Sequence, residues 1–352
     1  MNETIPLSPR QKAILNTLAQ QETLSREQIN QKLLDLYPAS KATLSRDLQY
    51  LTHMSKILTV GNGPARTYSI VSAHPLLKSV DLNHYFLLDP DQRNTSHALY
   101  DYTLIGKLSG LFSENEKDEY SSLFRSFSHA TEVLSTTIRQ RELERFMIEL
   151  AWKSSKIEGN TYTLLETETL IQHSHESPGH TREEARMILN HKDAFKTIVE
   201  QRADFKNLTY SVVMELHNTL VKGMNIDSGI RKHAVGITGT TYRPLDNEWQ
   251  IKEALEETLT VINRTESPLE KALIAASMIS YIQPFGDGNK RTSRMLANAI
   301  LLAWDYFPLS YRSIDVHDYK KALILFYETQ NLYHVKRLFL DQYEFALKTY
   351  FV

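Results

Sequence analysis

Twelve consecutive residues, Gln283 to Arg294, hold the groups that a polyphosphate site needs. Gly286 and Gly288 permit a tight turn that aims successive backbone N–H groups at an anion, and a helix starting near Asn289 would add its positive end. Lys290, Arg291 and Arg294 supply cations. The two arginines are three residues apart, so on a helix they share one face and can grip different phosphates. Asp287 is the natural oxygen ligand for a magnesium ion that arrives with those phosphates. Gln283 opens the run with a carboxamide. An amide oxygen can orient a hydroxyl but cannot take its proton.

A second group lies upstream. Leu143, Phe146, Leu150 and Ile157 recur at helical spacing, and Gly159 is suited to a left-handed C-cap. The spacing predicts a helix over about 137–158 with Ser154 and Glu158 near its end. Between the two groups, Gly229 to Pro244 mixes glycines with β-branched residues and reads as a short hairpin. An edge strand of that kind can take up an extended peptide. Ser267-Pro268-Leu269-Glu270 reads as a capping box that launches the helix leading into the glycine-bearing loop.

The Gln283 to Arg294 run resembles the signature of the Fic family, whose members transfer AMP from ATP onto protein hydroxyl groups. The family pattern His-x-Phe-x-Asp/Glu-Gly-Asn-Gly-Arg-x-x-Arg is met at Phe285, Asp287, Gly288, Asn289, Arg291 and Arg294. Gln283 replaces the family histidine and Lys290 replaces a glycine. Ser154 and Glu158 resemble the family's inhibitory motif, and the likeness covers roughly residues 80 to 350. The resemblance implies a mainly α fold with an all-helical core and a small β-hairpin flap. It also implies ATP and Mg2+ as cofactors, with Asp287 holding the metal. Gln283, Asn289 and Arg291 would stand at the chemistry. Gly286, Gly288, Asn289, Lys290, Arg291 and Arg294 would bind ATP. Ile237, Thr238, Gly239 and Thr240 would present the hydroxyl of a target protein. Glu158 would pair with Arg294 and hold the enzyme off, with Ser154 beside it. The implied activity is a protein adenylyltransferase, one that could also remove AMP. The two departures keep open a weakened, nucleotide-responsive regulator and a kinase like the related Doc toxins, in which a lysine stands at the position of Lys290. His233, on the approach to the flap, is a candidate replacement base, and an ordinary surface histidine is the alternative.

Residues 1–71 read as a separate winged helix-turn-helix. Ser25 and Ser40 cap its second and third helices, and 56–60 and 66–70 form two wing strands. Leu44, Leu48 and Leu51 face inward on the third helix, leaving Lys41, Thr43, Arg46 and Gln49 for DNA. Residues 1–70 carry 8 Lys or Arg against 5 Asp or Glu, a balance of +3, whereas the whole chain is at −2. So small a surplus binds DNA weakly in one copy, and a homodimer is expected. Residues 72–100 read as a linker and 101–352 as the Fic domain. His173, His175 and His180 match no metal spacing and read as a polar loop.

Composition bounds the rest. With 41% hydrophobic and 23% charged residues, the chain reads as an ordinary globular protein of two or three domains. Zero cysteines exclude disulfides, thiolate metal sites and a cysteine nucleophile. No stretch has the length of a membrane span and no signal segment opens the chain, so a cytoplasmic protein is expected.

Overall fold

The structure, a computed structural model, describes residues 7–19, 23–54, 56–61, 63–70, 74–93, 95–132 and 135–350. The first unit contains α1 (Pro9–Ala19), β1 (Leu24–Ser25), α2 (Arg26–Leu33), α3 (Lys41–His53), β2 (Ile57–Val60) and β3 (Thr67–Ile70). The strands form an antiparallel sheet in the order β1-β3-β2, with Ile57 opposite Ile70 and Leu24 opposite Tyr68. Ser25 caps α2 in a reciprocal capping box with Gln28, and Ser40 caps α3 by accepting from Thr43 N. Leu44, Leu48 and Leu51 are buried with Ile14, Leu18 and Ile29 in a core of their own. Of the turn expected between the two wing strands, Asn62 lies outside the described residues.

Residues 74–100 are more than a spacer. Short turns and α4 (Leu82–Tyr85) carry Leu76, Leu77, Leu82 and Tyr100 into buried positions. Leu332 N donates to Leu76 O at 2.6 Å and Asn331 Nδ2 to Lys78 O at 2.6 Å, so the segment is pinned along the C-terminal helices. Its docking uses isolated leucines and backbone pairing, which leave no periodic trace in sequence.

The main unit is built from α5 (Glu114–Glu132), α6 (Thr136–Ile157), α7 (Leu164–His173), α8 (Arg182–Glu200), α9 (Tyr210–Val221), α10 (Glu248–Arg264), α11 (Pro268–Ile282), α12 (Asn289–Ala303), α13 (Val316–Thr329) and α14 (Tyr333–Thr349). α11 has no polar face and is buried at almost every position, so the other helices pack around it. Ser267 caps α11, but the expected capping box is not reciprocal. The Glu270 carboxylate is buried and accepts from Leu111 N at 2.7 Å. α12 packs against α11 and is buried at every position except Lys290, so the loop between them, residues 283–288, is held at both ends. Among the described residues no helix is long and apolar enough to cross a membrane.

The segment expected as a hairpin forms no paired strands. Residues 229–246 are an irregular loop whose polar groups are taken by other elements. Arg93 donates to Gly239 O, the Tyr242 hydroxyl donates to Tyr281 O at 2.9 Å, and Arg243 N donates to Ala98 O at 2.9 Å. With its groups committed to the neighbouring 74–100 segment and to α11, the loop has no need of a partner strand of its own.

Candidate functional site

A cavity of about 480 Å³ opens where the end of α6, the 235–238 segment, the 283–290 loop and α13 meet. Its wall is apolar at Ile157, Ile237, Leu323 and Ile324 and charged at Glu158, Asp287, Lys290 and Lys320. The loop has a defined architecture. Gln283 ends α11 in the left-handed conformation, at φ 51° and ψ 58°, and its Nε2 donates to Ser280 O at 2.6 Å. Gly288 opens α12 at φ +81°, where an added Cβ would stand 3.0 Å from Val221 Cγ1 and 3.4 Å from His217 Nε2. Glycine is therefore required there for both conformation and space. The Asn289 carboxamide accepts from Phe285 N at 2.9 Å and donates to Phe285 O at 2.8 Å. In this arrangement it braces the loop, and the backbone N–H groups of the first turn of α12 are the donors that a helix start leaves without intrahelical partners.

Each signature arginine is covered by a carboxylate that itself lines the cavity. Arg291 is 2% exposed and donates to Asp287 Oδ2 at 3.1 Å. The other Asp287 oxygen accepts from Gly288 N at 2.6 Å. Arg294 is 1% exposed and donates from Nη2 to Glu158 Oε1 at 2.8 Å. Lys290 Nζ lies 3.9 Å from Glu158 Oε2, so the residue that replaces the family glycine adds a second cation to the same carboxylate. Burial pushes the Glu158 carboxyl up, but the charges of Arg294 and Lys290 outweigh it and hold the group below the ordinary carboxylate range. Although the arginines share a helix, Arg291 turns toward Met224 and Asp287 and Arg294 toward α6.

Behind Arg294 lies a polar relay that sequence reasoning missed. Arg294 Nε donates to Ser154 Oγ at 2.9 Å and Nη2 also donates to Ser154 O at 3.0 Å. The Ser154 Oγ lies 2.8 Å from His191 Nε2, and His191 Nδ1 lies 2.8 Å from Met187 O. A carbonyl can only accept, so Nδ1 carries the proton and Nε2 accepts the Ser154 hydroxyl. Burial pushes His191 down to about 3, which keeps this tautomer neutral. The only trace in sequence is a histidine on the apolar face of α8, beside Ile188 and Ala194. His217 repeats the pattern on α9, stacked on Phe285 at 3.6 Å between centroids and 3.0 Å from Asp287 O.

The His191 relay predicts a pH dependence. Below the ordinary histidine value of 6.5 the unfolded chain takes up a proton that folded His191 refuses, so stability falls as pH drops from 6.5 toward 3. By pH 4.5 the loss reaches about 2–3 kcal/mol. Thermal melts of wild type and His191→Asn check it: the wild type is expected to lose more stability over that interval than the variant.

The remaining positions named from sequence fall as follows. Ile237 and Thr238 line the cavity, while Gly239 and Thr240 do not. Gly239 O is taken by Arg93, and Thr240 Oγ1 accepts from Tyr242 N at 3.1 Å. His180 sits 3.2 Å from Glu166 and 2.8 Å from Thr161, and its ring packs on Tyr162, as part of the α7–α8 scaffold. On α3, Lys41, Arg46 and Gln49 are exposed and Thr43 is half-buried at the cap with Ser40. Asp47 turns inward to Arg10 and Gln11.

Comparison with known proteins matches this site. Residues 207–301 match the Fic/DOC family. That stretch includes the whole Gln283 to Arg294 run, so the site lies in a segment similar to the Fic/DOC family. It is similar to the protein adenylyltransferase Fic of Nematostella vectensis, at 27% identity over 191 residues, 52% of this chain and 44% of that protein. It is similar to the protein of the same name from Drosophila melanogaster, at 29% identity over 161 residues, 45% of this chain and 33% of that one. The chain thus spans less than half the length of the curated relatives it matches. Among solved structures, a Fic-1 fragment of C. elegans aligns with a TM-score of 0.55 at 20% identity, covering 66% of this chain and 69% of that one. A Fic domain containing signaling protein of Bacteroides thetaiotaomicron aligns at 0.54 and 21%, covering 66% and 92%. These likenesses establish the shared helical fold.

Proposed function

We propose that this Fic/DOC protein transfers AMP from ATP to the hydroxyl of a target protein and that Glu158 holds the reaction off by occupying Arg294. The observation that carries the reading is the Glu158–Arg294 contact at 2.8 Å beside a cavity of nucleotide size. Both cavity-lining carboxylates have work to do when ATP enters. Asp287 fits a magnesium ion, since its side chain is 66% exposed and magnesium takes one or two carboxylates together with phosphate oxygens and water. Release of Glu158 gives Arg294 and Lys290 to the outer phosphates, and Ile157, Leu323 and Ile324 offer an apolar wall to the base. A released Glu158 is also a base for water-driven removal of AMP.

We further propose that residues 1–71 form a winged helix that binds DNA as a homodimer. Lys41, Arg46 and Gln49 lie on the exposed side of α3, and its one carboxylate, Asp47, is withdrawn from that side by Arg10.

The test is incubation of Glu158→Gly protein with Mg2+ and ATP labelled at the α or the γ phosphate, following label on the protein itself and in a cell extract. Label from the α position is expected. Label from γ alone would replace the reading by a kinase, for which Lys290 is the favouring residue. Absence of both labels with ATP still bound would leave a nucleotide-responsive regulator.

A further inference from the structure

With Glu158 paired to Arg294 and Asp287 given to magnesium, the cavity lining leaves no uncommitted side-chain base for the attacking hydroxyl. Gln283 cannot serve, and its Nε2 is already committed to Ser280 O. His191 and His217 are buried, and each has a ring nitrogen against a backbone carbonyl. A different histidine, His233, is held beside the loop by Arg231. Arg231 is 3% exposed and faces backbone carbonyls. Its Nε donates to Gln283 O at 2.7 Å, its Nη1 to His233 O at 2.8 Å and its Nη2 to Leu245 O, while its own N–H donates to Pro284 O at 3.0 Å. One guanidinium therefore grips the carbonyls of residues 233 and 283 together, within the span of its own nitrogens and two hydrogen bonds. The side chain of His233 is exposed, just outside the cavity lining, and its Nε2 lies near Gly286 of the signature loop. A Cβ built on Gly286, a residue that lines the cavity, would lie 4.0 Å from it. The chain then continues from His233 into Val235 and Gly236, which wall the same cavity.

We propose that His233 is the general base of this site, supplying from the 229–246 loop the imidazole that position 283 lacks. The proposal rests on the AMP-transfer reading above. A neutral imidazole takes the proton of the target hydroxyl, the hydroxyl oxygen bonds to the α-phosphorus of ATP, and the bond from that phosphorus to the β-phosphate oxygen breaks. Pyrophosphate leaves, and the imidazolium returns its proton to solvent. Imidazole suits the task because it is the side-chain base that changes charge near neutral pH. Arg231 acts on the reaction only through His233 and Gln283, as a positioning residue.

The test uses the full chain with Glu158→Gly, α-labelled ATP and the rate of labelling at saturating Mg-ATP. Adding His233→Ala is expected to lower that rate about 10²-fold, with the ATP concentration for half-maximal rate within about threefold. Free imidazole is expected to restore at least about tenfold of the loss, as a diffusible base does and a structural repair does not. Adding Gln283→His to the alanine variant is expected to recover a similar share by placing a base back on the loop. A loss under about threefold from His233→Ala, with the Glu158→Gly parent still labelling from the α position, overturns the role of His233 and leaves the AMP-transfer reading standing. No α label from the parent overturns both.

Discussion

Exchange of Asp287 for asparagine in the Glu158→Gly protein is expected to lower AMP transfer by about 10²–10³-fold and to raise the magnesium concentration needed for half-maximal rate. The side chain keeps its size, and its amide oxygen can still accept from Gly288 N, which Asp287 Oδ1 now does at 2.6 Å. The turn should therefore persist. What disappears is the negative charge that lines the cavity and that Arg291 now balances at 3.1 Å. A metal-bound phosphate is worth several kcal/mol in stabilising developing charge, and each 1.36 kcal/mol is tenfold in rate, which sets the size of the expected effect. Rates measured over a magnesium titration check it. A variant with unchanged rate and unchanged magnesium dependence would remove Asp287 from the chemistry and leave it a loop-capping residue.

The parts of the fold and of the site that were legible in sequence are those made within a few residues. The caps at Ser25 and Ser40, the left-handed Gly288 and the Gly159 stop after α6 are decided by local backbone chemistry, and they stand where the spacing puts them. The pairing of Glu158 with Arg294 was accessible only through family resemblance, because the partners are 136 residues apart. Contacts between distant parts of the chain account for the rest. The 229–246 segment has hairpin composition, but Arg93 takes Gly239 O, and the side chains of Arg231 and Tyr242 donate to Gln283 O and Tyr281 O, all partners far along the chain. The 74–100 segment shows no period because it docks by single leucines against α13 and α14. The resemblance puts Asn289 at the nucleotide, and in the structure its carboxamide also closes the loop on Phe285, a contact made through the fold of the turn. His191 lies on the apolar face of a strongly amphipathic helix, and nothing in its neighbours announces that Ser154 and Arg294 will meet it.

Removal of the Glu158 side chain is expected to tighten ATP binding far more than AMP binding. In the structure Arg294 Nη2 donates to Glu158, and Lys290 faces the same carboxylate. Ser154 continues to hold Arg294 through Nε and through its own carbonyl after Glu158 is gone, so the guanidinium stays aimed and little ordering cost falls on the nucleotide. A charge-assisted hydrogen bond contributes about 1.5–3 kcal/mol, which corresponds to roughly tenfold to hundredfold in affinity. AMP has no outer phosphates for those cations to reach.

Calorimetric titration of Mg-ATP and of AMP into wild type and Glu158→Gly protein, side by side, tests this account most directly. The account predicts ATP affinity at least about tenfold higher in the variant and AMP affinity within about threefold of wild type. An ATP affinity that rises no more than that of AMP would contradict it, because Glu158 would then not be what keeps Arg294 from the phosphates.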